Sequence, residues 1–165
     1  MIKERTLSDA DVRALAEQGQ PLQLQGANLE GVNLEGVSLK GANLENANLK
    51  GANLRRADLR GAKLGWSHLE GADLQGARLI EASLSHAHLE KARLGHACLS
   101  MADLRWARLR EADLSEADLV GARLEGVEMW KTKLTNTRIT REGLHYVEAH
   151  LSKSQLASVV TYGVK

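Results

Sequence analysis

ANLKG at 47–51 and ADLRG at 57–61 are two copies of a five-residue repeat that runs unbroken from 22 to 141. Twenty-four repeats follow in register, and their central residue is Leu except where Met129 and Ile139 replace it. The position two residues before the centre is Ala in seventeen of them. Strict repetition of this kind is typical of elongated repeat proteins, which display side chains along an outer surface rather than enclosing a catalytic cleft.

A period of five residues fits neither a plain helix nor a plain strand. In a helix the leucines would advance by roughly 140° per repeat and form no common face. In a strand, side chains alternate with period two, and five is odd. A short strand followed by a turn resolves this: Ala57 and Leu59 point inward, Asp58 points outward, and Arg60 and Gly61 form the corner. Gly ends ten repeats, as a corner with positive φ favours, so the sequence predicts a closed coil filled with Leu and Ala.

Arginines that recur every fifteen residues from Arg78 to Arg138 indicate the number of sides. In a three-sided coil they would stack on one another about 4.8 Å apart, and like charges directly opposite each other are unfavourable. In a four-sided coil the neighbours are twenty residues apart, and every one of these arginines meets an acid. The sequence therefore predicts four sides and about six coils. The expected neighbours are Asp58 for Arg78, Asp73 and Asp113 for Arg93, Glu128 for Arg108, Asp103 for Arg123, and Asp118 for Arg138.

The repeat resembles the A(D/N)LXX pattern of the pentapeptide-repeat family, and the resemblance covers about three quarters of the chain. It implies an all-β solenoid, a right-handed quadrilateral β-helix, in agreement with the four sides inferred from the charges. Members of this family include inhibitors and protectors of DNA gyrase, whose rods resemble a DNA duplex in width and charge.

Composition limits the classes of partner. The net charge is +1 with many charges of both signs, which argues against direct nucleic-acid binding and against binding to an anionic membrane. Cys98 is the single cysteine, so no internal disulfide is expected and a reducing compartment is compatible. The N-terminus lacks the apolar core of a signal peptide, and no stretch is apolar enough to span a bilayer. We expect one elongated domain in the cytoplasm.

Both ends of the repeat region carry helix signals. Residues 1–21 are expected to form an N-terminal capping helix, with Ser8 as N-cap and Asp11 three residues later, ahead of the β-helix at 22–141. Residues 142–165 are expected to form a C-terminal helical cap or a dimerisation segment, because open coil ends expose unpaired backbone groups. One helix is expected around Leu144, Val147 and Leu151, and a second, begun by a Ser152–Gln155 capping box, around Leu156, Val159 and Val160.

The few aromatic residues concentrate on one corner of the predicted rod. A column of Trp66, His86 and Trp106 occupies the last position of repeats twenty residues apart. Trp and Arg are overrepresented among residues that dominate binding energy at interfaces. We expect this corner to contact a protein partner; the alternative is a stacking ladder that only stiffens the rod. The adjoining column contains His68, His88 and Arg108, and Trp130 lies in the next coil on that face.

Two further outward patterns follow from the twenty-residue spacing. Asn28 lies above Asn48, an amide ladder that would hold the coils in register. A secondary apolar patch is weaker as a site, because scattered apolar residues on a surface are normal. Its residues are Ile80, Cys98, Met101 and Val120, with Ser100 between Ile80 and Val120.

Signals for chemistry are sparse. His68, His86 and His88 could approach one another, but no further acid or thiolate ligand stands at a clear spacing, and Cys98 falls on another face. No phosphate-binding loop and no Ser-His-Asp set is identifiable. We expect no enzyme activity, no cofactor and no bound metal.

The sequence thus favours a non-enzymatic binding module or scaffold that displays the Trp/His/Arg corner to a protein partner, with a homodimer through 142–165 as an option. The alternative implied by the resemblance is a DNA-mimicking regulator of DNA gyrase. Three features count against it: the net charge is not acidic, arginines alternate with the acids, and no Phe occurs, whereas gyrase-directed relatives are Phe-rich. The resemblance also allows delivery into another cell as an effector, which no residue here supports or excludes.

Overall fold

The computed structural model describes residues 7–19 and 21–163, so that residues 1–6, 20 and 164–165 of the expected end segments lie outside the described residues. The repeats form a four-sided coil, because parallel bridges join residues twenty apart at every fifth position, from the Gln23–Asn43 pair to the Asp113–Lys133 pair. The same offset pairs Asp118 with Arg138 in the strands β1 (Asp118–Leu119) and β2 (Arg138–Thr140). In chain order the elements are α1 (Asp9–Ala16), β1 (Asp118–Leu119), β2 (Arg138–Thr140), α2 (Arg141–Val147), a 3₁₀ turn (Glu148–His150), α3 (Lys153–Ser158) and β3 (Val160–Tyr162).

Each repeat uses its backbone groups in a fixed way. In the repeat at 57–61, the Leu59 N–H donates to the carbonyl of Arg78 at 2.8 Å, which joins this coil to the next. Across the corner, the Ala62 N–H donates to the carbonyl of Leu59 at 3.0 Å, and Gly61 between them has φ 64°. A positive φ at the third turn residue is the type II arrangement. The Asp58 side chain accepts the N–H of Arg60, which explains why Asn or Asp suits this position.

The interior is a column of Leu and Ala. The central leucines from Leu24 to Leu124 are at most 1% exposed, and most of the Ala side chains are fully buried. Three polar residues occupy the Ala position, and each satisfies its hydroxyl by donating to a backbone carbonyl. Ser67 donates to Leu64, Thr132 to Leu109 and Thr137 to Leu114, at 2.7, 2.7 and 2.8 Å.

Helix α1 lies against the first coil and occupies its open backbone groups. Ser8 caps the helix through the expected reciprocal bonds with Asp11. The Asp9 carboxylate accepts the Asn33 N–H at 2.7 Å, and the Arg13 guanidinium donates to the Asn33 carbonyl at 3.0 Å. Groups that would pair with a preceding coil are therefore bonded to the helix instead.

The C-terminal segment differs from the expected pair of helices. Helix α3 begins at the expected Ser152–Gln155 capping box but ends at Ser158, and Val160 begins a strand. The expectation that Val159 and Val160 are helical is wrong because β3 pairs in parallel with β2, where the last coil offers unpaired groups. The Val160 N–H donates to the Thr137 carbonyl at 2.8 Å. Leu151 likewise lies just beyond the 3₁₀ turn and outside α2.

The charge pairs follow the predicted register with two exceptions. The expected contacts of Arg108 with Glu128 and of Arg93 with Asp113 do not form as ion pairs: Glu128 binds the guanidinium of Arg110 at 2.5 Å, and Asp113 binds Lys133 at 3.6 Å. Arginine side chains are long enough to reach acids in more than one column. The twenty-residue spacing alone therefore does not determine which acid each arginine binds. The predicted pairs that form are Arg78–Asp58 at 3.8 Å, Arg93–Asp73 at 3.1 Å, Arg123–Asp103 at 3.8 Å and Arg138–Asp118 at 3.1 Å.

None of the helices in the described part of the chain combines the length and the apolar composition needed to cross a membrane.

Candidate functional site

The aromatic corner is built by the turn geometry of three coils. Trp66, His86 and Trp106 each occupy the last position of their repeat, with φ of 59°, 59° and 60°. Their backbone N–H groups donate to the next coil, as the Trp66 N–H does to the Ser85 carbonyl at 3.1 Å. Because the backbone is fixed in this way, successive corner side chains project from the same edge of the rod. The three side chains therefore form the column that the sequence predicts.

The column is a stack with one close step and one open step. The rings of Trp66 and His86 lie 4.0 Å apart between centroids and within 5° of parallel. His86 and Trp106 are also near parallel, at 12°, but their centroids are 6.4 Å apart. Trp66 stays 54% exposed and Trp106 58% exposed, so stacking leaves most of both indoles open to solvent.

Trp106 lies over the backbone of the following coil. Position 126, one coil further along the same column, is Gly, and a Cβ added there would overlap atoms of the Trp106 indole. The Trp106 ring thus occupies the space that the side chain of any residue other than glycine at position 126 would fill. Sequence reasoning missed this role of Gly126, although its place in the column after Trp106 was a usable signal.

The adjoining face contains the second predicted column. The rings of His68 and His88 lie 4.6 Å apart at 44°, and Arg108 continues the column in bridge register with His88. Trp130 projects from the same face, 56% exposed, with the Lys131 ammonium 4.2 Å from its ring centroid. A shallow cleft runs between the two columns. It is lined by Trp66, His86, His88, Trp106, Arg108, Gly126 and Glu128.

Glu70 is a residue of this face that sequence reasoning missed. Its Oε1 lies 3.1 Å from Nδ1 of His68 and 3.8 Å from Nδ1 of His88. This corrects the expectation that no acid stands beside these histidines. The physical reason is strand alternation: His68 and Glu70 flank the inward Leu69, so both side chains leave the same face. The His-Leu-Glu order was the signal that could have found it.

The neighbours of Glu70 stabilise the charged form of its carboxylate. Burial alone would raise its pKa, but the hydrogen bond with His68, the bond from its own backbone N–H, and the positive charges of His68 and Lys50 outweigh that effect. The pKa of Glu70 is therefore lowered, and the group is an anion at neutral pH.

The secondary patch is arranged as its columns predict. Met101 is the most exposed of its residues, at 62%, and its side chain lies over Gly121, where a Cβ would overlap it. Cys98 is partly buried, with its Sγ 3.6 Å from the Ser100 hydroxyl. Ile80 and Val120 are also partly buried.

The residues proposed for dimerisation pack mainly against their own rod. Val147 is 1% exposed, and Leu144, Leu151 and Val159 are partly buried against the same core as the repeats. Leu156 is also partly buried, whereas Val160 is 41% exposed.

The chain is similar to cyanobacterial repeat proteins of known structure. HetL from Nostoc sp. strain PCC 7120, a pentapeptide repeat protein involved in heterocyst differentiation regulation, is 35% identical over 72% of this chain and 60% of HetL, with a TM-score of 0.32. Rfr23 from Cyanothece 51142 is 34% identical over 64% of this chain and 86% of Rfr23, with a TM-score of 0.38. Alr5209 from Nostoc PCC 7120 is 24% identical over 94% of this chain and 96% of its own, with a TM-score of 0.42. No curated protein matches the chain.

The family profile described as "Pentapeptide repeats" matches residues 23–61, 67–105 and 102–141 with eight copies, which together span more than half of the chain. The chain therefore belongs to the pentapeptide-repeat family, whose members form right-handed quadrilateral β-helices.

Proposed function

We propose that this chain is a non-enzymatic protein-binding module of the cytoplasm. In this proposal six stacked coils form a short rod, and the helices at 9–16 and 141–158 cover its ends. The rod displays the corner around Trp66 and Trp106 to a protein partner. Binding would depend on a few aromatic anchors rather than on total contact area.

The open step of the aromatic column is the observation that supports this proposal best. A ladder that only stiffens the rod would stack at the spacing of the coils, about 4.8 Å. The His86–Trp106 step is 6.4 Å, and Trp106 lies on Gly126 instead of closing the stack. A half-exposed indole that makes little use of its stacking partner has free surface for another molecule.

The neighbouring groups add specificity to the corner. Arg108 has its predicted partner Glu128 taken by Arg110, so its guanidinium is available at the edge of the cleft. Arg combines hydrogen bonding with stacking on aromatic rings, which suits an interface. Trp130 extends the apolar surface along the adjoining face.

Affinity capture from a lysate of the cells that produce the protein tests the proposal. The bait is wild type or the Trp66→Ala/Trp106→Ala variant, each with its fold checked by circular dichroism. We expect the double variant to recover at least tenfold less of the partner protein than wild type does. The reason is that hot-spot aromatic residues each contribute about 2 kcal/mol or more to binding.

Met101→Ala is the matched control. It removes a side chain that is as exposed as the two tryptophans and that also lies over a glycine, but on another column. It should retain the partner. Equal capture by all three proteins would reduce the Trp column to a stacking ladder.

Regulation of DNA gyrase by imitation of a duplex requires a continuous acidic surface. The aspartates here are paired instead: Asp58 with Arg60, Asp103 with Arg105, and Asp73 with both Arg55 and Arg93. We therefore expect no inhibition of gyrase supercoiling at micromolar protein. Inhibition, together with equal recovery of gyrase subunits by wild type and the double variant, would favour this alternative.

A further inference from the structure

Two imidazoles and a carboxylate converge on the face beside the aromatic corner. His68, Glu70 and His88 each offer one ligand atom, and the three atoms lie within 4.8 Å of one another. The side chains are 41%, 28% and 23% exposed, so an ion could enter from solvent. We propose that these three residues form a binding site for zinc.

The ligand types and distances fit zinc. Two imidazole nitrogens and one carboxylate oxygen, with water in the fourth position, are a common zinc ligand set. Ligand atoms about 2.0–2.2 Å from zinc at tetrahedral angles lie about 3.3–3.6 Å from one another. The Glu70 Oε1 is 3.1 Å from the His68 Nδ1 and 3.8 Å from the His88 Nδ1, and all three ligand atoms lie within 4.8 Å of one another. Side-chain rotations that bring the two imidazole nitrogens to about 3.3–3.6 Å would complete this geometry.

The bonding of Glu70 without an ion is unbalanced. His68, His88 and Lys50 all approach the same oxygen, Oε1, at 3.1, 3.8 and 3.5 Å. The second oxygen, Oε2, is buried and receives no hydrogen bond from any described residue. The oxygen that would ligate zinc is thus the one that both imidazoles already approach.

A second acid lies next to the site. Glu90 follows Glu70 one coil further along the same column, as shown by the Gly71 N–H that donates to the Glu90 carbonyl at 2.9 Å. The Glu90 Oε2 is also buried and without a hydrogen-bond partner in the described structure. The second carboxylate adds negative charge beside the site, which favours a divalent cation.

Zinc would displace the contacts that Glu70 makes now. Ligation through Nδ1 requires that each imidazole carry its proton on Nε2, so the His68–Glu70 contact is exchanged for two bonds to the metal. Lys50 is the competing cation, because its ammonium binds the same carboxylate. Its removal should therefore strengthen zinc binding.

Isothermal titration of the tag-free full chain with zinc tests the site without any partner, so it is independent of the protein-binding proposal. We expect one zinc ion per chain. Glu70→Gln and His88→Asn should each weaken binding at least about tenfold, since each removes one ligand. Lys50→Gln should tighten binding several-fold. Magnesium, which prefers oxygen ligands, should not bind there.

His96→Asn is the matched control. His96 also pairs with a carboxylate, Glu116, at 3.3 Å, but without a second imidazole. Its variant should bind zinc as wild type does. Absence of zinc binding to wild type, or equal affinity of wild type, Glu70→Gln and His88→Asn, would overturn the proposal. Cobalt(II) provides a second readout, because tetrahedral coordination gives strong visible absorption that zinc should abolish.

Discussion

The residue at the end of each repeat sets the backbone conformation that turns the coil. Glycines occupy this position with φ near 60–73°, as at Gly61 and Gly121, but thirteen residues with side chains adopt the same conformation. The left-handed region costs a residue with a Cβ roughly 1–2 kcal/mol. Leu packing inside the rod therefore outweighs a strain that recurs along its corners.

Glu111→Gly should stabilise the protein. Glu111 is exposed, has φ 59°, and its N–H donates to the Trp130 carbonyl, a bond that glycine keeps. Glycine relieves the backbone strain, but it also raises the conformational entropy of the unfolded chain. We expect the free energy of unfolding to increase by about 0.5–1 kcal/mol on balance. Urea denaturation measures it. Glu111→Ala keeps the strain, and an equal gain from that variant would refute the explanation.

Asp58 and Asp103 should make stability depend on acid pH. Hydrogen bonds from the Arg60 and Arg105 side chains lower the pKa of these carboxyls, and burial only partly opposes the effect. A group whose pKa is lowered by folding stabilises the protein above its unfolded pKa, near 3.8 here, and this stabilisation is lost as the pH falls through the folded pKa.

The Asp58→Asn/Asp103→Asn variant isolates this effect, because Asn can still accept the N–H two residues later, as Asn53 does from Arg55. We expect the free energy of unfolding of the variant at neutral pH to be lower by about 1 kcal/mol or less per site. Its melting temperature should also fall less than that of wild type as the pH drops below about 4. Parallel melting curves across this range would contradict the assignment.

At the scale of the elements, the repeat was predictable and the C-terminal segment only partly so. The period and the charges predicted four sides. The Asn28–Asn48 ladder forms, with the Asn48 amide nitrogen donating a hydrogen bond to the Asn28 Oδ1 at 3.1 Å. The capping box at Ser152 was also predicted correctly. Strand β3 was missed because the spacing of Leu156, Val159 and Val160 was read as a helix, although Val, Thr and Tyr favour strands. The unpaired edge of β2 decides their conformation, and that edge exists only in the folded rod.

The candidate site shows the same division. The twenty-residue register placed the Trp66 and His68 columns correctly, since backbone pairing determines where each side chain leaves the rod. The orientation of Glu70 toward two histidines, and the choice of Glu128 for Arg110 rather than Arg108, depend on side-chain rotamers. Spacing along the sequence does not contain that information.

Deletion of 142–165 should cause aggregation. It removes β3 from the edge of β2 and uncovers core residues such as Leu134 and Ile139, which are now 4% and 3% exposed. An unprotected strand edge with apolar neighbours is a template for self-association. Size-exclusion chromatography with light scattering measures the outcome. A soluble monomeric deletion would contradict the prediction, and loss of a wild-type dimer without aggregation would favour dimerisation as the role of this segment.

At the scale of the whole molecule, one continuous column of leucines joins all the coils. Each coil packs only against its neighbours, so cooperativity passes through nearest-neighbour contacts. A defect near the middle should therefore separate the rod into halves that unfold independently, whereas a defect on the surface should not.

Leu84→Asp tests this coupling. Leu84 is 1% exposed near the middle of the rod, and a buried, unpaired carboxylate there should cost several kcal/mol. Calorimetry should show a lower and divided unfolding transition. Lys91→Asp is the surface control, at an exposed corner where Asp tolerates φ of 60°, and should change stability by about 0.5 kcal/mol or less. Unchanged unfolding of Leu84→Asp would refute the inward position of the central residue.

The aromatic corner and the zinc site both require that residues twenty apart be neighbours. Native Cys98 offers a direct measurement of this register, because its Cα partner in the preceding coil is Arg78. Neighbouring strands are about 4.8 Å apart, within the Cα separation of about 4.4–6.8 Å that a disulfide spans. Ser83 is fifteen residues before Cys98 and bridges Lys63 and Asp103 instead.

The measurement is disulfide formation in Arg78→Cys and Ser83→Cys under mild oxidation, identified by mass spectrometry of non-reduced peptides. A four-sided coil predicts an intramolecular disulfide with Cys98 in Arg78→Cys and two free thiols in Ser83→Cys. A disulfide in Ser83→Cys with free thiols in Arg78→Cys would show a fifteen-residue coil. Residues twenty apart would then not be neighbours, which would contradict both the aromatic corner and the zinc site.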